Sequence, residues 1–204
     1  VIMTTLEPIY LRKKLLAHLT RGGAYCYWWT SEGKETTWWP VARPTPLPTG
    51  KLNIYFGVHP VASIPQHTYR TGERSGQVKP ARETRAQIGD VSAVNCLFAE
   101  FDGKDFEDGK SGALSHIVDL VPPASVLVDS GGGYHAYWLL AAPAALDDES
   151  TRKHVRDLQT QWVEYVDGDR GAKDLSRVLR VPGTRNYKDK YAPDYPEVSF
   201  VWYE

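Results

Sequence analysis

The residues Val94–Asp102, reading Val-Asn-Cys-Leu-Phe-Ala-Glu-Phe-Asp, constrain the fold of this chain more than any other stretch. A mostly apolar run of this length, closed by Gly103, predicts a buried strand. Side chains alternate along a strand, so Glu100 and Asp102 share one face, roughly 6–7 Å apart at the backbone. Leu97, Ala99 and Phe101 point the other way, into a core. Two carboxylates on one face repel each other unless a cation lies between them. Hard oxygen ligands in that arrangement suit Mg²⁺ or Mn²⁺. The alternative is a solvated acidic strand end, continued by Asp105, Glu107 and Asp108.

The neighbouring segments predict what surrounds this strand. Ser125–Asp129 and Tyr134–Leu140 read as two strands joined by Ser130-Gly131-Gly132-Gly133. Such a turn either presents backbone N–H groups to an anion or is a plain hairpin. His135 starts the outgoing strand, where it could hydrogen-bond a phosphate or be a satisfied core histidine. Farther on, Asp174 is a third acid, followed by Arg177, Arg180, Arg185, Lys188 and Lys190 around a Pro182-Gly183 turn. Arginine matches phosphate oxygens with a planar fork and lysine with a point charge, although a solvated surface would read the same way.

Helices are expected after Pro8, with Leu11, Leu15 and Leu19 at i+4 spacing, and over Gly112–Leu120. A third follows Asp147–Ser150 and carries Val155, Leu158, Trp162 and Val166 on its apolar face. Ala24–Trp29, Thr36–Trp39 and Asn53–Val58 read as strands, with a proline-rich extended connection over Pro40–Gly50. Ser63–Gln87 is polar, basic and without periodicity, which predicts a long mobile loop. Its Arg70, Arg74, Lys79 and Arg82 could grip nucleic-acid phosphates, and Tyr55, Trp28, Trp29, Trp38 and Trp39 could stack bases or pack a core.

A chain of 204 residues can bury one sizeable core, and its net charge of −1 hides an acidic centre between two basic segments. The longest apolar stretch, Ala136–Leu146, is short and holds Pro143, so no membrane-spanning helix is read. With no leader signature and with Cys26 and Cys96 in apolar runs, a cytoplasmic protein with reduced, buried thiols is expected. Cys-x-x-Cys and His-x-x-x-His pairs are absent, which argues against a zinc site. A Gly-x-x-x-x-Gly-Lys-Ser/Thr loop is absent as well, so this segment is not itself a helicase. Both ends read as cut, which predicts a piece of a longer protein.

The order Leu-Phe-Ala-Glu100-Phe-Asp102, then Gly133-Tyr134-His135, then Asp174 resembles the three motifs of the archaeo-eukaryotic primase superfamily. The phrases Ser-Gly-Gly-Gly-Tyr-His-Ala-Tyr-Trp and Asp-Leu-Ser-Arg-Val-Leu-Arg-Val-Pro-Gly-Thr-Arg-Asn-Tyr-Lys look like its primase-polymerases of plasmid, phage and CRISPR-associated type. The resemblance covers about residues 53–188. Glu100 stands where an aspartate is commoner, and Gly133 where some relatives have a serine, with Ser130 as a substitute.

The resemblance implies an α+β fold: a mixed or antiparallel sheet related to the RNA-recognition fold, packed helices and a smaller N-terminal α/β lobe. The lobes would be 1–90 and 91–204. It also implies two Mg²⁺ or Mn²⁺ ions on Glu100, Asp102 and Asp174, with His135 touching the incoming dNTP or NTP. Ser130, Gly133, Arg177, Arg180 and Lys188 would be further nucleotide contacts. Implied partners are a single-stranded DNA template and primer, with a helicase or other domains elsewhere in a longer chain. Three competing readings stay open: an extension-only repair polymerase, a non-catalytic nucleic-acid or nucleotide-binding module, and a metal-dependent nuclease.

Overall fold

The computed structural model describes residues 8–204; the first seven, part of the expected N-terminal lobe, lie outside the described residues. Helix α1 (Pro8–Leu19) forms where the i+4 leucines predict it, and buries Leu15, Leu16 and Leu19. Strands β1 (Tyr25–Thr30), β2 (Glu35–Pro40), β3 (Ile54–Gly57) and β7 (Val178–Arg180) make one sheet in the order β2-β1-β3-β7. Strands β4 (Ala93–Asp102), β5 (Val126–Asp129), β6 (Gly133–Ala145) and β8 (Ser199–Tyr203) make the other, in the order β4-β6-β5-β8. All pairings within both are antiparallel.

Strand alternation divides the core into layers. Cys26, Trp28, Phe56 and Leu179 of the first sheet meet Cys96, Phe98, Val126, Val128 and Tyr137 of the second, with the α1 leucines between them. On its other face the second sheet offers Leu97, Ala99, Phe101, Ala136 and Trp138 to helices α2 (Gly109–Val118) and α3 (Glu149–Tyr165). Leu97, Ala99 and Phe101 therefore point into a core, as expected. The aromatic pairs divide likewise: Trp28 and Trp39 are core, whereas Trp29 and Trp38 are half-buried on the opposite face.

Two expectations change. Strand β7 joins the first sheet by pairing with β3, Tyr55 opposite Arg180 and Phe56 opposite Leu179. Residues 91–204 thus do not close on themselves, and the expected boundary at residue 90 does not separate two sheets. On α3, Leu158 faces solvent and Gln159 is fully buried instead. Its Nε2 donates to the Phe98 carbonyl at 2.8 Å and its Oε1 accepts from the Phe98 N–H at 3.2 Å, so a polar side chain closes the free edge of β4. Asp148, as predicted, caps this helix by accepting from the Thr151 N–H at 2.8 Å.

The inter-sheet core also buries His59 beside the Phe98 ring at 5.9 Å, with neither ring nitrogen partnered. Burial pushes its pKa down to about 3. An unfolded histidine takes up a proton below pH 6.5, whereas the folded one does so only near pH 3. Stability from this group is therefore complete above pH 6.5 and is lost on acidification between those values. Between pH 7.5 and 5.0, urea denaturation should show the wild type losing about 2 kcal/mol more than a His59→Leu variant. Equal losses would contradict the buried neutral imidazole.

Candidate active site

The face of β4 that sends Cys96 and Phe98 into the inter-sheet core continues through Glu100 and Asp102. The antiparallel register sets Glu100 opposite His135 and Asp102 opposite Gly133, which brings the first two expected motifs together. His135 is buried, and burial, then Arg180, Arg177 and Lys188, push its pKa down to about 3. It is therefore a neutral imidazole. Its Nε2 lies 3.7 Å from Glu100 Oε2, too far for a hydrogen bond, and its Nδ1 has no partner.

Arg177 Nε donates to Glu100 Oε1 at 2.6 Å. Burial nonetheless raises the Glu100 pKa; Arg177 opposes this, while the charges of Asp102 and Asp169 add to it. Burial lowers the Arg177 pKa, but Glu100, together with Asp174 and Asp169, holds it above the ordinary arginine value. Arg180 is buried: Nη1 donates to Asn53 Oδ1 at 2.7 Å and Nη2 has no partner. Three cations thus bear on one neutral histidine, and Glu100 engages only one of them in a close pair. Two unsatisfied buried nitrogens mark a place where an acceptor-rich anion would be stabilised.

Two asparagines hold this arrangement. Asn53 Oδ1 accepts from Arg180 and from the Tyr187 N–H at 2.9 Å, while Asn53 Nδ2 donates to Glu32 at 2.6 Å. Asn186 Nδ2 donates to the Ser130 carbonyl at 2.9 Å, and its Oδ1 accepts from the Lys188 N–H at 3.3 Å. The glycine turn and the basic segment are joined in this way. Sequence pattern alone assigns neither asparagine a role; the signal for Asn53 is a polar residue heading an apolar strand.

Other expected contacts are placed differently. The Ser130 hydroxyl donates to the Gly133 carbonyl at 3.1 Å, the Ser130 N–H to the same oxygen at 2.9 Å, and the Gly131 N–H to Asp129 at 2.7 Å. These groups close a tight hairpin turn. Gly133 serves by close approach: a Cβ there would stand 2.8 Å from the Asp102 Cα. Asp174 accepts from Ser176 Oγ at 2.7 Å, whereas the Asp169 N–H donates to the Glu100 carbonyl at 2.8 Å. Asp169, which the sequence reading did not single out, is thus beside Glu100.

The basic segment forms a small irregular hairpin, with the Tyr69 N–H donating to Gln77 at 3.0 Å and Lys79 to His67 at 2.7 Å. Arg74 lies 4.0 Å from the Tyr69 ring and 3.4 Å from Glu83, and Lys79 lies 5.3 Å from that ring. Arg70 and Arg82 are exposed. The two cysteines are free and buried, as expected. Among the described residues no helix is long and apolar enough to cross a membrane.

The donor chemistry of Glu100 and Asp102 fits a hard divalent cation: both are oxygen ligands, and the Asp102 charge adds to burial in raising the Glu100 pKa. Among the described residues no three acidic, histidine or cysteine side chains already gather to hold a metal ion, and the Asp174 carboxylate accepts from Ser176.

The two antiparallel sheets share their fold with a solved primase-type domain. The solved primase-polymerase domain from cyanophage S-2L superposes with a TM-score of 0.57 at 16% identity, covering 97% of this chain and 89% of that one. A crystal structure of primase RepB′ gives 0.49 at 11% identity, covering 97% and 57%. Residues 77–201 match the RepB DNA-primase N-terminal domain family, and the chain belongs to it. A replication protein of Clostridium perfringens is 29% identical over 119 residues, which are 55% of this chain and 28% of the relative's length. The chain therefore spans less than a third of that relative.

Proposed function

We propose that this chain is a DNA-dependent nucleotidyltransferase, a primase-polymerase domain that joins nucleotides on a single-stranded DNA template. The observation that carries the reading is the buried neutral His135, with a free Nδ1, among Arg177, Arg180 and Lys188 and directly across from Glu100. Triphosphate oxygens would accept from the free Arg180 Nη2 and from His135, and Lys188 would meet them as an exposed point charge. Arg177 positions Glu100 through the 2.6 Å contact.

In the reaction, the 3′-hydroxyl oxygen of the primer strand forms a bond to the α-phosphorus of the nucleotide. The bond from that phosphorus to the bridging oxygen breaks, pyrophosphate leaves, and the hydroxyl proton passes to solvent or a nearby base. Divalent cations on Glu100 and Asp102, with Asp169 or Asp174 as a further ligand, would acidify the hydroxyl and neutralise the pyrophosphate. Membership of a primase family and the replication protein among its relatives support this reading.

The test is incorporation of labelled nucleotide on a primed single-stranded template with Mg²⁺ or Mn²⁺. Template-directed extension is the expected result. Shortening of the template would replace the reading with a nuclease, and binding without either product would leave a recognition module.

A further inference from the structure

Trp29 of β1, Tyr55 of β3 and Arg180 of β7 are successive partners across the first sheet. They stand side by side on the face opposite Trp28, Phe56 and Leu179, which fill the inter-sheet core. The Trp29 and Tyr55 ring centroids are 5.4 Å apart, and the Arg180 guanidinium lies 4.8 Å from the Tyr55 ring. At the other end, the exposed Arg85 guanidinium lies 5.3 Å from the Trp29 ring. Arg85, Lys79 and Ser176 also line a cleft of about 510 Å³. Ser176 is adjacent in the chain to Arg177, which holds Glu100.

A row of cation, two half-buried aromatics and cation therefore runs across the sheet, from solvent to the buried Arg180 beside the candidate site. Cross-strand packing alone explains the two rings, but not a cation at each end. The basic segment supplies Arg85 over a ring that no apolar side chain covers completely. Cations spaced along half-buried rings match a polymer that alternates phosphates with flat bases. Bases in a duplex stack on one another and present no free face, so the matching polymer is unpaired.

We propose that Trp29, Tyr55, Arg85 and Lys79 form the track along which a single-stranded polynucleotide reaches the acidic site, its bases stacking on the two rings and its phosphates meeting Arg85 and Lys79. The role as template track rests on the nucleotidyltransferase reading; binding of the unpaired strand does not.

Binding is measured by fluorescence anisotropy of a labelled oligothymidylate, without nucleotide or metal, for the wild type, Trp29→Thr and Arg85→Gln. Threonine keeps strand propensity at position 29, and circular dichroism checks folding. Trp29→Thr should weaken binding about tenfold. Arg85→Gln should reduce the slope of log affinity against log salt by about 0.7. Wild-type affinity and slope in both variants would overturn the track. So would unchanged oligonucleotide affinity with a raised KM for the nucleotide, which would assign the rings to the incoming base. If Trp29→Thr does not fold, the exposed Arg85→Gln decides. Binding that depends on these residues, in a protein that incorporates no nucleotide, would retain the track and remove the enzymatic reading; normal incorporation with unaltered strand binding would do the reverse.

Discussion

Asp102→Asn should lower nucleotide incorporation by about 10³-fold while leaving the fold as stable as the wild type. Asn keeps the shape of Asp102, whose side chain is 46% exposed and has Lys104 Nζ at 3.4 Å. A salt bridge that open contributes little to stability. Removing the charge also relieves Glu100, whose carboxyl Asp102 disfavours in its ionised form. A carboxylate serving structure would cost stability when neutralised, whereas one serving a cation would not. Mn²⁺ should accordingly raise the melting temperature of the wild type and leave that of Asp102→Asn unmoved. Full incorporation by the variant, or equal Mn²⁺ stabilisation of both proteins, would remove Asp102 from the metal site.

Gly133→Ala should destabilise the protein by about 3 kcal/mol. Gly133 sits opposite Asp102 in the β4–β6 ladder. Its added Cβ would stand 2.8 Å from the Asp102 Cα and 3.0 Å from the Phe101 carbonyl carbon, and would overlap the Phe101 oxygen. These are backbone atoms of β4, so relief requires β4 and β6 to part where Glu100 and His135 face each other. For a domain of this size the melting temperature should fall by roughly 6–12 °C, with incorporation lost as well. Gly89→Ala is the control: nothing lies within 4 Å of a Cβ there, and its stability should stay within about 0.5 kcal/mol of the wild type. Similar melting temperatures for the two variants would contradict the close approach.

What was legible in the sequence was local. The alternation that set Glu100 and Asp102 apart from Leu97, Ala99 and Phe101 appears in the structure as two faces with different neighbours. The hairpin through Ser130–Gly133 forms where the strand–glycine–strand pattern predicts it. Pairings between distant segments were not legible, because periodicity tells a strand its faces and not its partner. The three residues Val178–Arg180 gave no strand signal, yet pairing with β3 puts Arg180 beside Tyr55 and within reach of Asn53. Gln159 gives no signal in the sequence, because polar residues on a helix ordinarily face water and the free edge of β4 is visible only in three dimensions. The site reading had the same limit: the charged residue types were evident, whereas the place of Asp169 beside Glu100, and of the Ser130 hydroxyl within its own turn, depended on loop geometry.

The most direct test of the central claim omits the primer: a single-stranded DNA template, nucleoside triphosphates and Mn²⁺ or Mg²⁺, with wild type and Asp102→Asn side by side. The wild type should give short template-dependent products and the variant none. Products from both proteins alike, or none from the wild type on either primed or unprimed template, would contradict the claim.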